Sequence, residues 1–308
     1  MRRKVGLFLS VAASCTLVAA CFGGGDGGDP APTPTPTPTA SPSPTPTPTP
    51  APVDFDFTKA FSDSVTNASY VFAYFMPTGG AETWSDGTRQ AGTSTITYAV
   101  APESVSFVWP DGSTLPGFVE ADRQTATTTL RTYRKGTDAL TLELPFQNVL
   151  RATYERVQSF TSETVPGMLR SNRVTLFFNE VTTTAAIAAN LVYTGTAQVA
   201  GGTPKSTPPG VFSAAPTTLT VTASDKKITG SIQILENVNG TPTVRATLPL
   251  SATLGTGDGF NAAIDDTSSG FKGTFVGALA GPNREEAFII FNVTHTDGRE
   301  LIGSLIAG

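Results

Sequence analysis

Residues 271–279 read FKGTFVGAL, so that Phe271, Gly273, Phe275, Gly277 and Leu279 alternate with Lys272, Thr274, Val276 and Ala278. A two-residue period marks a strand with one buried face. Here the buried side itself alternates between ring and glycine. A barrel of about eight strands has an interior just wide enough for side chains to fill it. Rings in such an interior must face gaps, and glycine supplies them.

The same period extends outward in both directions. It covers Leu191 to Val199, Leu219 to Ala223, Ile228 to Ile234, Val244 to Leu254, Phe260 to Ile264, Ala287 to Val293 and Leu301 to Ala307. Turn residues separate these runs, among them Asn239-Gly240 and Asp297-Gly298. Pro249 lacks an N–H and falls on the outward side of its run, so pairing should be interrupted there. The chain stops on its last strand, which fits a sheet whose last strand pairs with its first and so removes the free edge. Outward positions are mostly Thr, Ser, Gln, Asn and Lys, the reverse of a membrane-spanning barrel. Phe288 and Ile290 break that rule, and the expectation is that the preceding domain covers them. The reading is an all-β chain: a β-rich handle domain, then a soluble eight-stranded antiparallel up-and-down barrel.

Several short motifs, in order, resemble the transferrin-binding protein B-like surface lipoproteins. Gly273 to Gly277 (GTFVG) runs into Gly281 to Ala287 (GPNREEA), which is similar to the family's G-x-F-x-G strand followed by G-P-x-x-x-E. Ile302 to Leu305 (IGSL) resembles its final strand, Tyr193-Thr194-Gly195 its opening strand, and Leu219 to Ser231 its second hairpin, with Thr222-Ala223 in place of the usual D-F pair. Leu140 to Leu144, Tyr154, Phe160 and Leu176 to Phe178 resemble the handle, although the usual G-x-W is Gln158-Ser159-Phe160 here. The similarity spans residues 135 to 308, and none of its motifs is catalytic. It implies a barrel beside a handle, holding a protein or a metal- or haem-bearing ligand for an outer-membrane receptor.

The N-terminus carries its own signals. Arg2-Arg3-Lys4 precedes an apolar stretch from Val5 to Ala20, too short for a span of about 20 residues. Val18-Ala19-Ala20-Cys21 resembles a lipobox, whose thiol takes a diacylglyceryl group; this implies a bacterial source and a membrane contact through N-terminal lipid. Cys15 is a rival, but would leave an apolar region of only about ten residues. Residue 22 is Phe, so an aspartate that would retain the protein in the inner membrane is absent. Pro30 to Pro52 is a Thr-Pro and Ser-Pro repeat, for which polyproline II is the regular option. The expected organisation is a signal peptide over 1–20, a stalk over 21–53, a handle over 54–181 and a barrel over 182–308, anchored in the outer membrane and exposed at the cell surface.

Composition excludes several functions. The formal charge of −5 becomes −8 without Arg2, Arg3 and Lys4, 17 basic residues against 25 acidic. Nucleic-acid binding needs clustered cations, and there are none. Both cysteines, Cys15 and Cys21, precede the folded part, which therefore contains no disulfide. His295 is the one histidine, too few for a metal site or a nucleophile–base pair. Asp265-Asp266 and Glu285-Glu286 sit at predicted turns, and neighbours on a strand point apart. No cofactor and no catalysis are expected.

Recognition by surface residues remains. Interface anchors favour Trp, Tyr and Arg. Trp84 lies in the loop-like stretch Gly79 to Gly92, Trp109 opens a Pro-Asp-Gly turn, and Tyr133-Arg134 ends a predicted strand. These four are the candidate ligand contacts. A scaffolding lipoprotein without a soluble ligand is the alternative reading.

Overall fold

Leu176, Phe177 and Phe178 are consecutive, and consecutive residues of a strand face opposite ways, so this run needs cover on both sides. The computed structural model, which describes residues 55–308, shows how it is covered. The proposed signal peptide, the proline repeat and Cys21 lie outside the described residues. In chain order the first strands are β1 (Phe61–Thr66), β2 (Ser69–Pro77), β3 (Thr83–Gln90), β4 (Thr93–Val100), β5 (Glu103–Val108), β6 (Phe118–Val119), β7 (Arg123–Ala126), β8 (Leu130–Lys135), β9 (Asp138–Glu143), β10 (Val149–Ser162) and β11 (Val165–Phe178). They form a four-stranded sheet, β1-β4-β5-β6, and a seven-stranded sheet, β3-β2-β11-β10-β9-β8-β7.

The seven-stranded sheet is the middle layer. Phe177 points to the smaller sheet and meets Phe107 edge-on at 5.4 Å, while Phe178 points the other way and meets Phe288 of the barrel at 4.7 Å. Buried hydroxyls of Ser69, Ser94 and Thr175 bond one another between the two sheets. Two expectations change here. Thr125 to Tyr133 is not one strand but two, β7 and β8, with Thr127 N–H donating to Leu130 O at 2.9 Å across the turn. The stretch Gly79 to Gly92 is not a loop, because β3 occupies most of it and pairs with β2 around a bulge at Ala73/Tyr74.

The barrel follows. Its strands are β12 (Leu191–Thr196), β13 (Gln198–Gly202), β14 (Val211–Ala214), β15 (Pro216–Thr222), β16 (Lys227–Val238), β17 (Thr241–Thr253), β18 (Gly259–Asp266), β19 (Phe271–Ala280), β20 (Glu286–His295) and β21 (Glu300–Ala307). Last meets first, as Ala307 lies opposite Gly195 and β21 continues along β13. The inward residues of the alternation form one buried cluster that includes Tyr193, Leu219, Ile232, Leu250, Phe275, Phe291 and Leu305. Phe288 and Ile290 are buried with the handle core, joined there by Ile302 and Ile306. Barrel wall and handle thus share one interface.

The wall has a seam. β17 and β18 are neighbours without a ladder between them, and Pro249 lies on that side. Thr247 N–H donates across the seam to Asp266 Oδ2 at 3.0 Å. By the two-residue period, position 249 aims its N–H the same way, and proline has none to give. Asp266 closes what the ladder leaves open. It also accepts the amides of Ser268 and Ser269 at 3.1 and 3.2 Å, and both their hydroxyls.

Burial acts to raise the pKa of Asp266, but these serine and amide donors outweigh it and lower it to about 2. A carboxylate depressed in the fold stabilises it above the unfolded value near 3.8, and that contribution is lost as pH falls through the folded value. Asp266→Asn should therefore cost about 2 kcal/mol near neutral pH. Urea unfolding at about pH 6 and about pH 2 tests this, since the penalty should shrink by more than half in acid. A pH-independent penalty would show that the carboxylate's charge plays no part.

The motif Gly281-Pro282-x-x-x-Glu286 has a physical role as well. Glu286 is buried, and its Oε1 accepts Gln147 N at 2.8 Å, Asn148 N at 2.6 Å and Asn148 Nδ2 at 3.0 Å. One barrel side chain thereby holds the turn between β9 and β10.

Candidate recognition surface

The two longest handle strands, β10 and β11, form a hairpin that continues past the barrel contact to the turn at Glu163, whose φ is 57°. Strand β2 runs beside it only as far as Pro77, opposite Gly167. A Cβ on Gly167 would lie 2.3 Å from Met76 O and 2.8 Å from the Phe75 ring. The bare glycine lets that ring cross the strand and meet Phe160 edge-on at 6.1 Å. Thr78 N–H donates to Pro166 O at 3.0 Å and fixes the β2–β3 turn beside the hairpin.

This end of the handle is apolar and uncovered. Met76, Phe160 and Val165 are 44%, 43% and 46% exposed, where alternation would put polar side chains at a strand end. Met76 and Phe160, with Pro77, Thr78, Pro166 and Met168, line an open trough of about 880 Å³. By the strand register Phe160 and Val165 share one face of the hairpin and Met76 and Met168 the other, so the tip exposes apolar side chains on both faces, and such clustering marks a contact surface where scattered residues would not.

The four residues expected to make contact do not converge. Trp84 is fully buried where β3 meets the barrel; its ring stacks on Phe72 at 6.2 Å and Nε1 donates to Glu300 Oε2 at 2.9 Å. Trp109 is buried in the turn after β5, with the Arg173 guanidinium 5.4 Å from its ring. Tyr133 is buried between the handle sheets and donates to Glu103 Oε1 at 2.7 Å. Burial, then the bond to Glu103 and its charge, hold that phenol far above its ordinary pKa. Arg134 alone is exposed, beside the Gly136 turn. His295 pairs with Asp297 at 2.7 Å at a barrel turn. The tip residues escaped the sequence reading because its anchor rule favours Trp, Tyr and Arg. The available signal was Phe160, Val165, Pro166 and Met168 crowding a hairpin turn.

No family model matches the sequence, and no curated protein matches it at a significant level. Among solved structures, the chain is similar to isotype 1 transferrin binding protein B from serogroup B Neisseria meningitidis, at 14% identity and a TM-score of 0.40 over 77% of this chain and 43% of that one. A mutant transferrin binding protein B from Actinobacillus pleuropneumoniae H49 gives 11% identity and a TM-score of 0.36, covering 79% and 100%. A protein of unknown function from Nostoc punctiforme gives 8% and 0.27, covering 78% and 94%. The chain spans less than half of the Neisseria meningitidis structure.

Proposed function

We propose that this chain is a lipid-anchored binding protein that captures a protein ligand with the handle tip. The uncovered apolar trough at the tip carries this reading. The lipobox-like Val18 to Cys21 and the proline repeat behind it supply the tether, with Cys21 as the acylated residue. Placement on the outer face of the outer membrane, and hand-over of the ligand to a receptor there, complete the proposal. Among the described residues no three His, Cys, Asp or Glu side chains converge as metal ligands. In this proposal any metal or haem travels on the captured protein, and this chain recognises polypeptide.

The test compares the full chain with a Met76→Asp/Phe160→Asp variant, both immobilised at the N-terminal end and exposed to culture medium or serum. A partner retained by the wild type should bind the variant at least about tenfold more weakly, as expected for the loss of an apolar anchor. Melting temperature should change little, since both side chains are already half in water. Cys21→Ala should release the protein from the membrane fraction. Equal retention by the wild type and the tip variant would remove the tip from the reading. Membrane association without any retained partner would favour the scaffolding alternative.

A further inference from the structure

Strand β10 outruns one of its neighbours. It extends from Val149 to Ser162, but β9 pairs with it only from Arg151 to Arg156. One further bond, from Val157 N–H to Thr137 O at 3.2 Å, ends that side. Beyond it β10 pairs with β11 on one edge and, among the described residues, with no strand on the other. Successive residues of a strand send their N–H and C=O groups to opposite edges. Val157 faces β9, so Ser159 and Thr161 face the same way, while Gln158 and Phe160 bond to β11. Among the described residues, no backbone group meets the N–H or C=O of Ser159 or Thr161. Gln158 to Thr161 are exposed, so these groups are open to solvent.

Sheets guard such edges with proline, charge, bulges or a cover. Other edges of this chain show those devices. Strand β17, which borders the seam, carries Pro242 and Pro249; β7 has Arg123 and a bulge; β3 is bonded by the barrel loop, where Trp84 N–H donates to Ser206 O. From Val157 to Ser162 there is no proline, no charge and no bulge. Along this edge a donor and an acceptor recur about every 7 Å. The matching series is the main chain of an extended polypeptide, and an ionic ligand finds no charge to pair with. Side chains set the pattern of the added strand. Phe160 stands on one face, so an apolar residue opposite it meets that ring, while its neighbours in the added strand fall beside Ser159 and Thr161 on the other face.

We infer that the tip holds its protein ligand by taking one extended segment of it, apolar at alternate positions, as an added strand beside Val157 to Ser162 of β10. This rests on the tip as the capture surface and states how the ligand is held there. The probe is the acetylated, amidated peptide KTVTVTK, with an analogue N-methylated at its three central residues, which blocks both strand edges. The full chain should bind the peptide with a Kd of order 1 mM or tighter, and the analogue at least about tenfold more weakly. At saturating peptide the amides of Ser159 and Thr161 should exchange with solvent at least about tenfold more slowly, whereas Gln158 and Phe160, already bonded to β11, change little. Thr161→Pro removes one outward N–H and no bond to β11, a placement that edge strands tolerate. It should weaken peptide binding at least about tenfold with melting temperature close to that of the wild type, and the N-methylated analogue asks the same question of the unaltered chain. Three results would overturn the inference: no peptide bound, binding indifferent to N-methylation, or a homodimer in sedimentation whose interface protects Ser159 and Thr161 before peptide is added. The tip reading is judged separately. A natural partner lost by Met76→Asp/Phe160→Asp but kept by Thr161→Pro would overturn the added strand alone, and one kept by both variants would overturn both.

Discussion

Trp84→Ala should lower the free energy of unfolding by about 3–5 kcal/mol, the range for removing a fully buried Trp when neighbours cannot close the space. The neighbours here are held from several directions. Phe72 and Tyr74 belong to β2, Glu300 to β21, and Ser206 to the barrel loop that pairs with the Trp84 main chain. A Cβ on Gly87 would lie 2.9 Å from the indole Cζ2, so the ring is packed against bare backbone on that side too. Urea unfolding followed by circular dichroism measures the loss. Trp84→Phe should recover most of the packing and forfeit the Nε1 bond to Glu300, for a residual cost of about 1 kcal/mol. A loss below about 1 kcal/mol for Trp84→Ala would mean that handle and barrel are not pinned at this ring. Trp109 remains as the fluorophore, since the chain contains two tryptophans.

The same residue shows where sequence reading reaches its limit. Most barrel strands bury only the face toward their own interior, so hydrophobic alternation survives in the sequence and the inward residues can be read directly; β20 and β21, which also meet the handle, are buried on both faces. The handle's central sheet is buried on both faces, so alternation disappears over Val174 to Phe178. Strand β3 has no apolar period at all, and glycines flank it. Its Trp84 becomes core only because a barrel loop more than a hundred residues later folds over it. Recognition surfaces follow the same logic. Composition favours Trp and Tyr as contacts, but in this chain those large rings fill the junctions between layers. The uncovered apolar side chains at the tip are Met76, Phe160 and Val165, which no anchor rule singles out.

The ring-and-glycine alternation that fixes the barrel leads to the other large effect. Gly277 sits opposite Phe260 on β18 and Ile289 on β20. A Cβ there would lie 2.6 Å from the Phe260 ring and 2.1 Å from the carbonyl oxygen of Phe288. The ring could turn away, but the backbone carbonyl belongs to the paired strand and cannot yield without loosening the ladder. Gly277→Ala should therefore destabilise the chain by about 3 kcal/mol or more, through overpacking in a filled interior. The ring's share can be isolated by a double-mutant cycle with Phe260→Leu. If part of the cost is the clash with that ring, the two losses should be less than additive by about 1 kcal/mol, because the smaller side chain clears the space the methyl enters. Strict additivity would assign the whole penalty to the Phe288 carbonyl. No loss at all on Gly277→Ala would mean that the barrel wall is not packed ring against gap, and the reading of residues 271–279 would fail with it.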